Sequence, residues 1–382
     1  MCIGMPPDGG TAKGKNRQNK IKRMKILNAL KGMVPYRLVL MRRELLPLWA
    51  LWTRKNMKRK DMIEILHFHL VDHCNLNCRG CDNFSPLAPE TYTELSVFEA
   101  DCRRMAQLMG TKNRIKEIQL LGGEPLLHPQ VEMFMDVARR YFPHTPVNLV
   151  SNGLLLPRQG DSFWEACRRN KVHIVVTKYP VKFDYHKVAE LVKSKGVAFS
   201  FYGHTDVVEK TMVCVPLDLE GRQDGRDSFL RCARANRCIS LDHGKLYTCS
   251  LIPYVKYFNQ KFGTKLAIEP SDYMDIHQAD SFGQILDFTC KPAPFCRYCN
   301  LKGTVGNIKF GISRHERSEW TGREKLAVSC SGGKFFVKRE WVFFKQKKPR
   351  KWLFPVIPLG LEPKTHALEG RCSNPTELRN RP

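Results

Sequence analysis

Between residues 63 and 202 the chain alternates short runs of β-branched and aromatic residues with helix-length segments. Ile63 to Val71 (IEILHFHLV) reads as the first strand. Glu117 to Leu121, Val147 to Val150, Val172 to Thr177 and Val197 to Tyr202 read as the next four. Helices are predicted between them, at about Ser96 to Met109, Gln130 to Tyr141, Ser162 to Asn170 and Tyr185 to Lys195. Pro129 would open the second of these, where a missing N–H costs nothing. Strands and helices at this spacing make βαβ units and a parallel sheet, open or closed into a barrel.

The motifs that carry chemistry all fall at the C-terminal ends of predicted strands, where ligands bind in parallel α/β sheets and barrels. After the first strand comes CNLNCRGC, a C-x3-C-x2-C run of Cys74, Cys78 and Cys81. After the second comes GGEP, Gly122, Gly123, Glu124 and Pro125, and after the third Ser151-Asn152-Gly153. The chain holds 15 cysteines. That odd, high number, with no recognisable secretory leader, points to metal or redox chemistry rather than disulfides. A structural zinc site takes four ligands. Three close thiolates instead hold three irons of a four-iron, four-sulfur cube and leave the fourth iron open. His73 adjoins the run as a possible further ligand, or packs and hydrogen-bonds.

These residues resemble the radical S-adenosylmethionine (radical SAM) superfamily over about residues 62–205. The resemblance implies that Cys74, Cys78 and Cys81 hold a 4Fe–4S cluster whose open iron chelates S-adenosylmethionine (AdoMet). It implies that Glu124, with the backbone of Gly122 and Gly123, holds the amino end of AdoMet. Ser151 and Asn152 would face its carboxylate or ribose, and Thr177 is a candidate for the same pocket. Two glycines let a backbone come close to a ligand, and a buried carboxylate needs a cation; the alternative for the pair is a plain strand-to-helix turn. The family places an aromatic just before the third cysteine, on the adenine. Gly80 stands there in this chain, so Phe84 either covers the adenine from a shifted position or packs in the core.

A second cysteine group follows: Cys232, Cys238 and Cys249, then Cys290, Cys296 and Cys299. Ile239 to Leu241 and Lys245 to Cys249 read as a hairpin turning at Asp242-His243-Gly244. The group resembles the twitch module, a shortened SPASM-type extension holding one auxiliary iron–sulfur cluster. Cys232, Cys249, Cys296 and Cys299 are the expected ligands of a second 4Fe–4S cluster, with Cys238 as the substitute. A hairpin cysteine pair plus C-x2-C is also a zinc-ribbon arrangement. Cys102 and Cys167 fall mid-helix and are expected to be small buried hydrophobes.

The formal charge of +26 sits at the ends. Residues 1–60 carry 16 Lys and Arg against 2 Asp and Glu, residues 301–382 carry 18 against 7, and the middle is nearly balanced. Such flanks are solvated tails or contact phosphates of a nucleic acid or membrane surface. Neither shows a nucleic-acid-binding motif. No segment reaches the roughly 18–20 apolar residues of a membrane span. Tyr36 to Trp52, broken by Arg42, Arg43 and Glu44, reads as a helix docked on the domain or lying at a membrane interface.

The expected architecture is α/β: a partial (β/α)6 TIM-like barrel with a small cysteine-rich α+β extension. Its parts are a basic flank (1–60), a radical SAM core (61–228), an auxiliary cluster module (229–305) and a second flank (306–382), poorly ordered after about 345. The expected activity is reductive cleavage of AdoMet to a 5′-deoxyadenosyl radical that takes hydrogen from a peptide, sugar or small metabolite. It would need a flavodoxin- or ferredoxin-type donor and a reducing compartment, taken as the cytoplasm. The competing readings are a zinc-stapled nucleic-acid-binding protein and a family member that keeps the cluster without catalysis.

Overall fold

The computed structural model describes residues 55–202 and 211–322. The segment 36–52 and the stretch after about 345 lie outside the described residues.

Five parallel strands form in chain order: β1 (Ile65–Val71), β2 (Ile118–Gly122), β3 (Val147–Ser151), β4 (His173–Val176) and β5 (Ala198–Phe201). Between them run α1 (Leu95–Met109), α2 (Val131–Tyr141), α3 (Asp161–Arg169) and α4 (Tyr185–Ser194). Most boundaries fall within one or two residues of those expected. Pro129 is in the turn before α2 rather than its first residue. Right-handed crossovers taken in sequence put every helix on the same side of the sheet. Leu66, Phe68 and Leu70 of β1 accordingly share one core with Phe98, Cys102 and Met105 of α1, Phe134 and Ala138 of α2, and Cys167 of α3. Each large side chain buried there contributes about 1.5–3 kcal/mol.

The C-terminal half completes the same sheet. After a short strand β6 (Thr211–Cys214) and helix α5 (Gly225–Arg231), strand β7 (Cys238–Asp242) inserts parallel to β1 on the side away from β2. Strands β8 (Lys245–Tyr247) and β9 (Tyr273–Asp275) follow antiparallel, giving the order β5-β4-β3-β2-β1-β7-β8-β9. The sheet thus has six parallel strands, the sixth flanking β1 rather than extending past β5. The hairpin turns on two residues, His243 and Gly244, both at positive φ as a tight turn of this hand demands. Helices α6 (Val255–Phe262) and α7 (Phe282–Thr289) come next, then β10 (Val305–Lys309), which pairs with β6, and the short α8 (Ser318–Thr321). A second core gathers Phe84, Tyr254, Phe258, Phe295 and Trp320.

Strand alternation sends every second side chain to the face away from the helices. Strand register stacks these side chains in transverse layers, as in barrel interiors. The lowest is polar: His173, Asn148, Gln119, His67 and Ser240 stand in one row across β4, β3, β2, β1 and β7. His67, Gln119 and Ser240 are fully buried. In the middle layer Val175, Val150, Leu121 and Tyr202 are in contact, and the buried His69 of β1 stands opposite Leu121. The top layer, at the strand ends, holds Thr177, Asn152 and Gly123.

Candidate functional site

The top layer opens into a pocket at the strand ends. The three thiols of Cys74, Cys78 and Cys81 line it, as do Gly122, Gly123, Ser151, Asn152 and Thr177. The structure thus brings together eight of the residues singled out from the sequence.

The ends of β1 and β2 are zipped to one another. Gly123 N–H donates to the Val71 carbonyl at 2.9 Å and Glu124 N–H to the His73 carbonyl at 3.1 Å. A Cβ on Gly122 would lie 2.1 Å from the Val71 oxygen, and one on Gly123 1.9 Å from the His73 oxygen. The glycines are therefore required by the approach of β2 to the backbone that leads into Cys74, a closer constraint than approach to a ligand.

Glu124 and Pro125 stand behind the pocket wall. The Glu124 carboxylate is wholly buried. It accepts from Ser151 Oγ (2.7 Å), Asn152 N–H (2.8 Å) and Leu126 N–H (3.1 Å). Burial pushes its pKa up to about 7, against the pull of those three donors. In this geometry those three bonds tie it to Ser151, Asn152 and the turn after β2. Asn152 in turn donates through Nδ2 to Asn75 Oδ1 at 2.8 Å, inside the cysteine loop.

Phe84 does not line the pocket. It is 1% exposed, at φ 54, and its ring lies 5.7 Å from that of Phe258 and 6.1 Å from that of Trp320. Core packing takes it, because the turn after Cys81 aims it at the second core. His73 also packs, accepting from Thr91 N–H at 3.3 Å with its ring edge-on to Tyr92.

Two pocket residues had no sequence signal of their own. Tyr179 lies two residues past Thr177 and, with Phe310, packs against Leu76 and Cys78 of the cysteine loop. Arg234 is one of several arginines between Cys232 and Cys238; it is buried and ion-paired with Asp82, itself a pocket residue.

Burial pushes the Cys74 and Cys81 thiols up. Metal coordination is what makes buried thiols into thiolates. Among the described residues no three His, Cys, Asp or Glu side chains converge on a single metal ion; the three thiols border one pocket instead. A donor set of three soft ligands around an open space fits an iron–sulfur cube with one iron left for a chelating ligand.

In the second group, Cys249, Cys296 and Cys299 all pack against the second core. Helix α5 packs on the turn Pro294–Tyr298, and Ser228 Oγ donates to the Cys299 carbonyl at 2.8 Å. Cys232, Cys249, Cys296 and Cys299 are mutually within electrostatic reach, and after burial their mutual repulsion raises Cys249, Cys296 and Cys299. Cys249 is pushed up to about 11. Cys238 is buried on β7 against Ile65, and Cys290 sits at the end of α7, donating to the Asp287 carbonyl.

Residues 69–194 match the sequence profile of the radical SAM superfamily. The GTP 3′,8-cyclase of Chlorobaculum tepidum is 32% identical over 104 residues, which make up 27% of this chain and 30% of that enzyme. The GTP 3′,8-cyclase of Microcystis aeruginosa is 28% identical over 113 residues, 28% of this chain and 32% of the enzyme. The chain thus spans about a third of the length of these curated relatives. Of solved structures, BtrN in complex with AdoMet and 2-DOIA aligns with a TM-score of 0.41 at 16% identity, over 63% of this chain and 93% of that one. Native anSMEcpe with bound AdoMet gives 0.29 at 20% identity, over 36% and 43%.

Residues 69–194, about a third of the chain, are therefore similar to the radical SAM superfamily. No described helix is long and apolar enough to cross a membrane.

Proposed function

We propose that the protein is a radical SAM enzyme whose cluster is held by Cys74, Cys78 and Cys81. The observation that carries this is the convergence of those thiols, Gly123, Asn152 and Thr177 on one pocket at the strand ends. When bound, the cluster and AdoMet supply a 5′-deoxyadenosyl radical that takes a hydrogen atom from the substrate. The chain's own residues bind, orient and exclude water. Gly122 and Gly123 lock the strand ends so that Cys74 faces Asn152. Glu124 fixes Ser151 and Asn152 from behind, leaving the Asn152 side chain at the wall for the polar end of AdoMet. Leu121 and Val150 give the pocket an apolar floor.

Cys232, Cys249, Cys296 and Cys299 would hold a second 4Fe–4S cluster, as in a twitch module, accepting an electron or binding substrate. The substrate would be a peptide, a sugar or another small metabolite. A flavodoxin- or ferredoxin-type protein would supply the electron.

The test uses anaerobically purified, cluster-reconstituted protein with AdoMet and dithionite, with 5′-deoxyadenosine measured by mass spectrometry. Product from the parent and none from Cys78→Ala supports the reading. Zinc in place of iron and sulfide, with no product, would sink it.

A further inference from the structure

The end of the described chain is built onto the cysteine loop. Residues 311–313 run antiparallel to residues 77–79: Arg79 N–H donates to the Gly311 carbonyl and Ser313 N–H to the Asn77 carbonyl, each at 2.8 Å. Beyond them the buried Glu319 carboxylate accepts from Ser313 Oγ (2.8 Å), Arg314 N–H (2.6 Å) and, at 3.4 Å, Gly80 N–H. The next residue, Trp320, donates through Nε1 to the Cys81 carbonyl at 2.9 Å. Its ring is anchored in the second core, 6.0 Å from Phe262 and 6.1 Å from Phe258. Gly80 completes the fit. It sits at φ +61, and a Cβ there would lie 3.1 Å from the Glu319 carbonyl oxygen.

We propose that Glu319 and Trp320 are positioning residues for the Cys78–Cys81 turn, so that a segment 239 residues away in sequence sets the geometry of the first cysteine site. Cys78 and Cys81 are two of the three thiols in the pocket, and the turn between them is closed by Cys81 N–H donating to the Cys78 carbonyl at 3.3 Å. The strap adds backbone pairing on one side and two side-chain bonds on the other. It also accounts for the glycine before the third cysteine, since the space beside that position is filled by the strap. The link to catalysis rests on the function proposed above; the clamp itself does not.

The test has one arm without metal. In the metal-free full-length chain, peptide mass spectrometry follows the alkylation rate of each cysteine. Trp320→Phe keeps the ring and removes the N–H; Glu319→Gln keeps the size and weakens the acceptor. Losing one buried hydrogen bond should speed alkylation of Cys78 and Cys81 by about five- to tenfold, with Cys296 and Cys299 unchanged. Unchanged rates at Cys78 and Cys81, or all four rising together, would overturn the clamp. In a second arm the reconstituted variants are expected to lose the change that AdoMet makes in the electron paramagnetic resonance of the first cluster, while keeping the signal seen in a Cys74/Cys78/Cys81→Ala protein. A parent-like AdoMet response would likewise overturn the positioning role. Should the parent itself show no AdoMet response beyond that of Cys78→Ala, the proposed function falls, and the alkylation split still decides the clamp.

Discussion

His67 should make this protein sensitive to acid. It lies in the middle of the sheet, fully buried, with the Gln119 side chain beside it. Burial, then the neighbouring His69 ring, holds its pKa down at about 3, against 6.5 for an ordinary histidine. Because the folded value lies below the unfolded one, the unfolded chain binds the proton first as pH falls. The contribution of neutral His67 is therefore complete above about pH 6.5 and drains away toward pH 3. Linkage puts the loss at about 2 kcal/mol by pH 5 and about 3 kcal/mol by pH 4. His67→Leu removes the titration and fills the space with carbon. Urea midpoints of parent and variant should agree or favour the variant at pH 7.5, then diverge by about 2 kcal/mol in the variant's favour at pH 5. Parallel pH profiles for the two would show that His67 is solvated or paired, and would refute the reasoning.

Glu124→Gln leaves one oxygen for three donors and turns an amide N–H₂ toward Asn152 N–H. AdoMet affinity of the reconstituted protein, read by equilibrium dialysis, should fall by about tenfold or more, although the residue does not border the pocket; parent affinity would show that Asn152 needs no support. Phe84→Ala should cost about 3–5 kcal/mol in denaturant unfolding, whereas a small cost with a large loss of AdoMet binding would return Phe84 to the adenine. Cys299→Ser should lower iron per reconstituted chain by about half, and Cys290→Ser should leave it unchanged, as judged by iron and sulfide assay.

Periodic features were the legible ones. The alternation from Ile63 to Tyr202 placed strands and helices within a residue or two, because amphipathic period, Gly and Pro act locally. The three motifs met in one pocket because each ends a parallel strand, a rule that needs no contact information. Phe84 was not decidable, since a ring three residues past Cys81 could face either the pocket or the second core. Gly80 departs from the family pattern for a reason that stands 239 residues away, at Glu319. Arg234 and Tyr179 were hidden for the same reason. Their importance lies in what stands opposite, and register between distant strands is not written in one sequence.

The polar row under the pocket has a consequence for how the chain is made. His67 is flanked by Gln119 on one side and Ser240 on the other. Shifting either strand by one residue would carry an imidazole, amide or hydroxyl into the oily layer beneath the helices. The row therefore works as an alignment key, and its last tooth arrives about 170 residues after its first. Until residues 238–240 leave the ribosome, β1 is an open edge with unpaired backbone. Synthesis of that stretch takes on the order of ten seconds or more. The cysteine-rich half is then no appendage to a finished barrel: it closes the central strand, and a chain stopped after β5 would carry a sticky edge where the completed protein has β7.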